Sequence, residues 1–293
     1  GGSERDCRLL SSSRLGNGFI SLRTIDMIKQ LRTKGLRITL VTGARTTTML
    51  KRIPVLPQAD ALVCESGSCI LYPTTGRDGE TYWVPDVEWR ERLITVVGDQ
   101  MDPLPPPEQR LGALWDLYRK LLARGLRADA LGYTASFRVI PRDEGEREVL
   151  EAVRSEIEGG ELSCRCNLGH YDFMCSRAGK GNAVEYLQRK WGVSSDECAA
   201  VFDDDNDLCM AAKCRWCLIP SITSESVKQG LEENPQWLCS DKCGTGVFAS
   251  EEVFQSILDY LGGDPDALSP RPVLRPPTFS SSTPPGERSR LME

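Results

Sequence analysis

Short β-branched runs alternate with amphipathic stretches at both ends of the chain, and one block of different texture interrupts the alternation. Elements that alternate in this way bury their apolar faces by packing helices onto a parallel sheet, because parallel strands need a crossover between them. ISLRTIDMIKQLRTKG sets Leu22, Ile25, Ile28 and Leu31 at three-residue steps behind a capping serine and stops at Gly35, which predicts a helix. RITLVTGAR follows as a strand ending in Thr-Gly, then a short helix through Met49 and Leu50. ADALVCESGSCILYP reads as two strands around the turn ESGS.

The texture changes near residue 82. The prolines of DPLPPPEQ exclude helix and central strand alike. QRLGALWDLYRKLLARG then places Leu111, Leu114, Trp115, Tyr118, Leu121 and Leu122 on one helical face. LGYTASFRVIPR reads as a strand, EGEREVLEAVRSEIEGG as a helix and LSCRCNLGHYDFMC as a strand pair. Alternation resumes with GNAVEYLQRKWG, CAAVFDD, DLCMAAKC, RWCLIP, SESVKQGLEE, QWLCS and EEVFQSILDYLGG as helix and strand in turn. The expected division is an α/β core over residues 1–81 and 177–263, split by an α+β insert over 82–176. The proline- and serine-rich tail, 264–293, has almost nothing to bury and is expected to be disordered.

Acidic residues outnumber basic ones, 42 to 36, and no basic stripe is interleaved with aromatics, so nothing suggests a nucleic-acid surface. No apolar stretch approaches the roughly 20 residues of a membrane span. A soluble, intracellular and by default cytoplasmic protein is expected. The chain begins GGSERD, without Met, which leaves room upstream for a signal, a transit peptide or part of the fold. Several of the 12 cysteines lie in apolar runs, and reduced thiols are expected. CRWC and CSDKC offer four sulfurs to a zinc ion, although CRWCLIP also reads as a buried strand.

Ligands of open parallel sheets collect at the carboxyl ends of strands. Three stretches lie there. VTGAR supplies the Thr42 hydroxyl and the Gly43 amide for an oxyanion; AGKGNAVEYL starts a helix with Lys180, where ammonium and helix dipole both favour an anion. FDDDND crowds Asp203, Asp204, Asp205 and Asp207 after a strand, and such a cluster calls for a neutralising cation, with hard oxygens suited to Mg²⁺. Each stretch also has a plain reading: an ordinary strand-to-helix turn, a solvated lysine, and a solvated helix start.

In this order, around an insert of this size, ISLRT, VTGAR, VCESGSCI, AGKGNAVEYL, FDDDNDL and GTGVF resemble the haloacid dehalogenase superfamily. The resemblance is to its Cof-type branch of sugar-phosphate phosphatases, related to sucrose-phosphate phosphatase and phosphomannomutase, and spans residues 18–261. It implies a Rossmann-like core with an inserted α/β cap, and a Mg²⁺-dependent phosphatase working through an aspartyl-phosphate. By position it implies that Thr42 bonds the transferring phosphoryl group and Lys180 neutralises it. Asp203 would bind Mg²⁺ with Asp207 in support, and Asn206 would lie near the phosphate.

Three departures stand out. The first motif, DxDGT or DxDDT, which supplies the nucleophilic acid, is absent; Asp6 stands nearest, with Arg8 where the second acid belongs. The motif is expected upstream of Gly1, and a binding protein that has lost the nucleophile is the alternative. Phe202 replaces the family's usual Gly, and Ala44 is extra between Gly43 and Arg45. Substrate choice is expected from the cap, where Arg138 and Arg142 are candidates for a second phosphate or a sugar hydroxyl. Asn167 and His170 stand nearby, and the partner expected is a small phosphorylated metabolite. With His170 the only histidine, a histidine-ligated metal or a Ser-His-Asp triad has little material.

Overall fold

The structure is a computed structural model, and it describes residues 6–13, 16–99, 103–167 and 169–269. The chain opens with an antiparallel hairpin, β1 (Cys7–Ser13) and β2 (Gly16–Ser21), that leads into α1 (Leu22–Thr33). Ser21 caps α1 by accepting from the Arg23 and Thr24 amides. The buried face of α1 is Thr24, Met27, Ile28 and Leu31: it keeps Ile28 and Leu31 of the expected stripe, while Ile25 is half-buried and Leu22 exposed. The reason is geometric: three-residue steps drift across a helix of 3.6 residues per turn, and α1 presents to its neighbour the stripe that the longer period selects.

β3 (Thr39–Val41) and β4 (Ala61–Cys64) are parallel and joined through α2 (Thr46–Arg52). The sheet continues antiparallel through β5 (Cys69–Thr75) and β6 (Thr81–Pro85), in the order β3-β4-β5-β6. Then come α3 (Val87–Val97), α4 (Ala113–Ala123), β7 (Ala128–Asp129), β8 (Ser136–Val139), α5 (Glu144–Ile157), β9 (Leu162–Asn167) and β10 (His170–Cys175). These four strands make an antiparallel sheet in the order β7-β8-β10-β9. Leu111, expected on the α4 face, precedes the helix and is exposed, because Gly112 at φ 107 turns the chain before α4 begins.

α6 (Lys180–Trp191), β11 (Ala199–Val201), α7 (Leu208–Ala211), β12 (Trp216–Ile219), α8 (Glu225–Glu233), β13 (Leu238–Cys239) and α9 (Val247–Leu261) complete the order. β11, β12 and β13 are parallel neighbours. Alternate residues of β12 point to opposite faces: Leu218 packs with Met27, Leu31 and Leu258, while Cys217 and Ile219 pack with Met210, Val227 and Leu231. Helices therefore cover both faces, the mark of a doubly wound sheet.

Among the described residues β3 and β11 are both sheet edges, yet they feed the same core. Ile38 and Val201 join one apolar cluster, Val41 and Ala200 another, so the β3–β4 parallel pair and the parallel β11-β12-β13 sheet share a layer. A third cluster runs from Leu62, Val63 and Ile70 through Trp89 and Trp115 to Phe137, Phe173 and Tyr186, uniting insert and core. Packing also passes Gly263: Leu268 is buried against α1 and α9, and the rest of the expected tail, from residue 270, lies outside the described residues. The Asn167 side chain lies outside them too. No described helix is long and apolar enough to cross a membrane.

Candidate functional site

The strand ends β3 and β11 converge on the start of α6. Thr42 leaves β3 with its amide bonded to the Val63 carbonyl at 2.8 Å, and its Oγ1 accepts from the Ala44 amide at 3.1 Å. Among the described residues the Thr42 O–H proton has no acceptor and is available to donate. The Gly43 N–H has no protein acceptor among the described residues. A hydroxyl and an amide at a strand end are suitable donors for an anionic oxygen.

The turn Glu65–Gly67 closes over this loop. The Ser66 amide donates to the Thr42 carbonyl at 3.0 Å and the Glu65 amide to that of Ala44 at 2.9 Å, so Gly43 is bracketed on both sides. The Ser66 Oγ approaches Gly43 so nearly that a Cβ there would lie 3.1 Å from it. Glu65 and Ser66 take left-handed φ of 53° and 54° without being glycine. Such conformations cost of order 1–3 kcal/mol each and persist where surroundings over-determine them. Gly67, at φ 100°, abuts the start of α6: a Cβ would fall 2.2 Å from the Gly179 carbonyl carbon.

Lys180, the first residue of α6, is buried at 8% exposure. Its ammonium donates to the Asp207 carboxylate at 2.5 Å and to the Asn206 side-chain oxygen. Gly181 lets α7 approach, since a Cβ would meet the Cys209 carbonyl at 2.4 Å. Asn206 in turn donates to Asp204 at 3.0 Å. Desolvation, then the charges of Asp207 and Asp204, push the Asp203 carboxyl above the usual range, with Lys180 opposing. Phe202, the departure from glycine, is buried edge-on against Trp237 at 5.5 Å and anchors the acidic loop from below.

A model described as sucrose-6F-phosphate phosphohydrolase matches residues 20–255. The chain belongs to this family. The match covers both halves of the core and the insert, and the haloacid dehalogenase superfamily read from the motifs is its wider setting. No significant match was found among curated proteins. Solved structures share the fold. A Thermoplasma acidophilum protein aligns with TM-score 0.56 and 16% identity, covering 83% of this chain and 90% of its own. The sucrose-phosphatase of Synechocystis, solved with sucrose and phosphate, aligns with TM-score 0.56 and 14% identity over 82% of this chain and 91% of its own. A haloacid dehalogenase subclass IIB sugar phosphatase aligns at TM-score 0.50 and 12% identity, over 83% and 92%.

In this member of the sucrose-6F-phosphate phosphohydrolase family, Thr42, Gly43, Lys180, Asp203, Asn206 and Asp207 form one constellation through the 65–67 turn and the starts of α6 and α7. Arg138 and Arg142 stand apart from it. Arg138 holds Asp172 in a bidentate pair at 2.6 and 2.7 Å, and Arg142 is paired to Glu146 on an exposed face. Neither guanidinium is idle: the strand pairing that sets Asp172 opposite Arg138 supplies one partner, and the first turn of α5 supplies Glu146 to Arg142. His170 is half-buried; desolvation and Arg138 hold its imidazole below the ordinary range, with Asp172 opposing. Sequence reasoning missed Ser66 and Arg45. Arg45 pairs with Asp129 of the insert and lies over the Tyr133 ring at 4.8 Å. Among the described residues no three His, Cys, Asp or Glu side chains converge as a metal centre, the sulfurs of CRWC and CSDKC included.

Proposed function

We propose that the chain is a phosphatase of a small phosphorylated metabolite, foremost a sugar phosphate. The observation that carries this reading is the buried Lys180 ammonium at the start of α6, bonded to the acidic loop, with the 65–67 turn joining the start of that helix to the Thr42–Gly43 donors. Transfer of a phosphoryl group asks mainly for positioned donors and neutralised oxygens. Thr42 O–H and Gly43 N–H would hold two phosphate oxygens, and Lys180 would neutralise their charge. Asn206, already bonded to Lys180, would orient that ammonium. The sugar half of the reading rests on kinship with a phosphatase solved with sucrose and phosphate.

Mg²⁺ fits the donor set: the carboxylates are hard oxygen ligands, and Asp203, raised first by burial and then by the charges of Asp207 and Asp204, is a carboxyl whose charged form a cation would favour. Asp203 and Asp207 would hold it, and when bound it would neutralise charge building on the phosphoryl oxygens. Hydrolysis through an aspartyl-phosphate further needs a carboxylate nucleophile, and Asp6 is the acid of this chain nearest to the place where the family motif carries it.

A second reading, a phosphate-ligand-binding protein without turnover, is favoured by one observation: Arg8 stands where the motif's second acid belongs. The test is hydrolysis of a generic phosphate ester with Mg²⁺. Turnover that falls at least about a hundredfold in Asp203→Ala supports the phosphatase. Turnover that survives the substitution sinks it, and phosphate binding without turnover, in a version that carries the residues upstream of Gly1, selects the second reading.

A further inference from the structure

Glu65 is an acid in a four-residue turn, a place where a side chain usually faces water, yet it is 1% exposed. Its carboxylate gathers donors from two directions. From the core it accepts the Thr46 hydroxyl at 2.8 Å and the Thr46 amide at 3.4 Å, both in the first turn of α2. From the insert it accepts the Thr134 amide at 2.9 and 3.0 Å, the Ala135 amide at 2.9 Å and the Ser136 hydroxyl at 3.1 Å, at the entry to β8. Its negative charge also acts on Arg110, which donates to the Tyr133 carbonyl at 2.9 Å.

The backbone of the same residue sits in the left-handed turn that brackets Gly43 and abuts Gly179. The Glu65 side chain and the turn it belongs to thus tie three parts together: the carboxylate holds the first residues of β8, and the turn backbone meets the loop carrying Thr42 and Gly43 and the start of α6 carrying Lys180. We infer that Glu65 is a positioning residue, whose carboxylate holds the strained 65–67 turn and couples the docking of the insert to the shape of the phosphate seat. The coupling works without Glu65 touching the phosphate. It requires that loosening the insert at Ala135 also loosens the turn at Ser66, because both are held by one carboxylate and its backbone. The inference deepens the phosphatase reading and rests on it for the identity of the anion.

Glu65→Gln keeps the side-chain shape and replaces one acceptor oxygen by a donor. Amide hydrogen exchange would be read at Ala135, which bonds the carboxylate directly, and at Ser66, whose amide bonds the Thr42 carbonyl instead. Titration with inorganic phosphate reads the seat, and exchange in α9 reads the fold as a whole. The expected result is acceleration at both Ala135 and Ser66 by about tenfold, the scale of one lost hydrogen bond, with phosphate binding weakened by about the same factor and α9 unchanged. Acceleration at Ala135 alone, with Ser66 and phosphate affinity as before, would overturn the coupling.

Should Glu65→Gln also speed exchange in α9, Ser136→Ala carries the test, since it removes one donor on the insert side and leaves the core loops intact. About threefold weaker phosphate binding together with faster Ser66 exchange supports the coupling. Unchanged values of both overturn it. A native chain that binds no phosphate defeats the phosphatase reading, while the exchange of Ser66 against Ala135 still decides whether the two regions are coupled.

Discussion

Lys180 has the most at stake of any side chain in the site. Its ammonium and the Asp207 carboxylate are both largely withdrawn from water, at 9% and 14% side-chain exposure. Breaking such a pair from one side leaves the other charge unsatisfied, which costs about 3 kcal/mol. Lys180→Met should therefore lower the urea-unfolding free energy by about 2–3 kcal/mol, and Lys180→Met with Asp207→Asn should recover part of it. Phosphate affinity should be lost in both proteins, so stability and binding separate in this cycle. The sequence allowed Lys180, Asp203 and Thr42 to be picked out because each lies at the end of a strand or the start of a helix. It could not show Glu65: its partners lie 19 to 71 positions away, and a glutamate beside Ser-Gly reads as a surface turn. For the same reason Arg138 was legible as a strand residue, whereas its commitment to Asp172 depends on how β8 meets β10.

Among the elements, α3 shows how a helix start becomes a fastening. Asp86 caps it by accepting from the Trp89 amide at 2.9 Å, and the same carboxylate accepts from Tyr72, Tyr186 and Lys190, each at 2.8 Å. Burial alone would raise its pKa; the Lys190, Trp89, Tyr186 and Tyr72 bonds outweigh burial and hold it below the ordinary 3.8. A carboxyl depressed in the folded state binds fewer protons there than in the unfolded chain. Its stabilisation is complete above the unfolded value and fades as pH falls through that value towards the folded one. Asp86→Asn should flatten the acid limb of a stability-against-pH curve below about pH 4, and Asp86→Ala should cost about 2–3 kcal/mol at pH 7 through the lost cap and stranded hydroxyls. Gly67→Ala tests the neighbouring junction, because its φ of 100° and the 2.2 Å clash with Gly179 exclude a side chain. Loss of more than about 3 kcal/mol in denaturant melts is expected. Helices α1, α4, α5 and α6 were legible from periodicity and caps. The opening hairpin was not, since CRLLSSS has neither clean alternation nor a turn signature, and its packing on α2 comes from distant residues.

On the scale of the whole molecule, core and insert are not separable bodies, for one apolar cluster runs from β4 and β5 through α3 and α4 to β8, β10 and α6. Deleting the insert would strip cover from Leu62, Ile70 and Tyr186 at once. Denaturant unfolding followed by tryptophan fluorescence and by far-ultraviolet dichroism should give coincident midpoints, whereas a hinged pair of domains would give two. The parallel sheets and the interrupted order were readable from alternation; the shared cluster was not, because it forms between segments the insert separates in sequence. His170 lies inside this joined architecture, beside the Arg138–Asp172 pair and alone of its kind in the chain. A proton NMR spectrum of this chain therefore contains the two carbon-bound ring signals, Hδ2 and Hε1, of a single imidazole, already assigned by arithmetic, whose positions report the electrostatics of the insert without any label being attached.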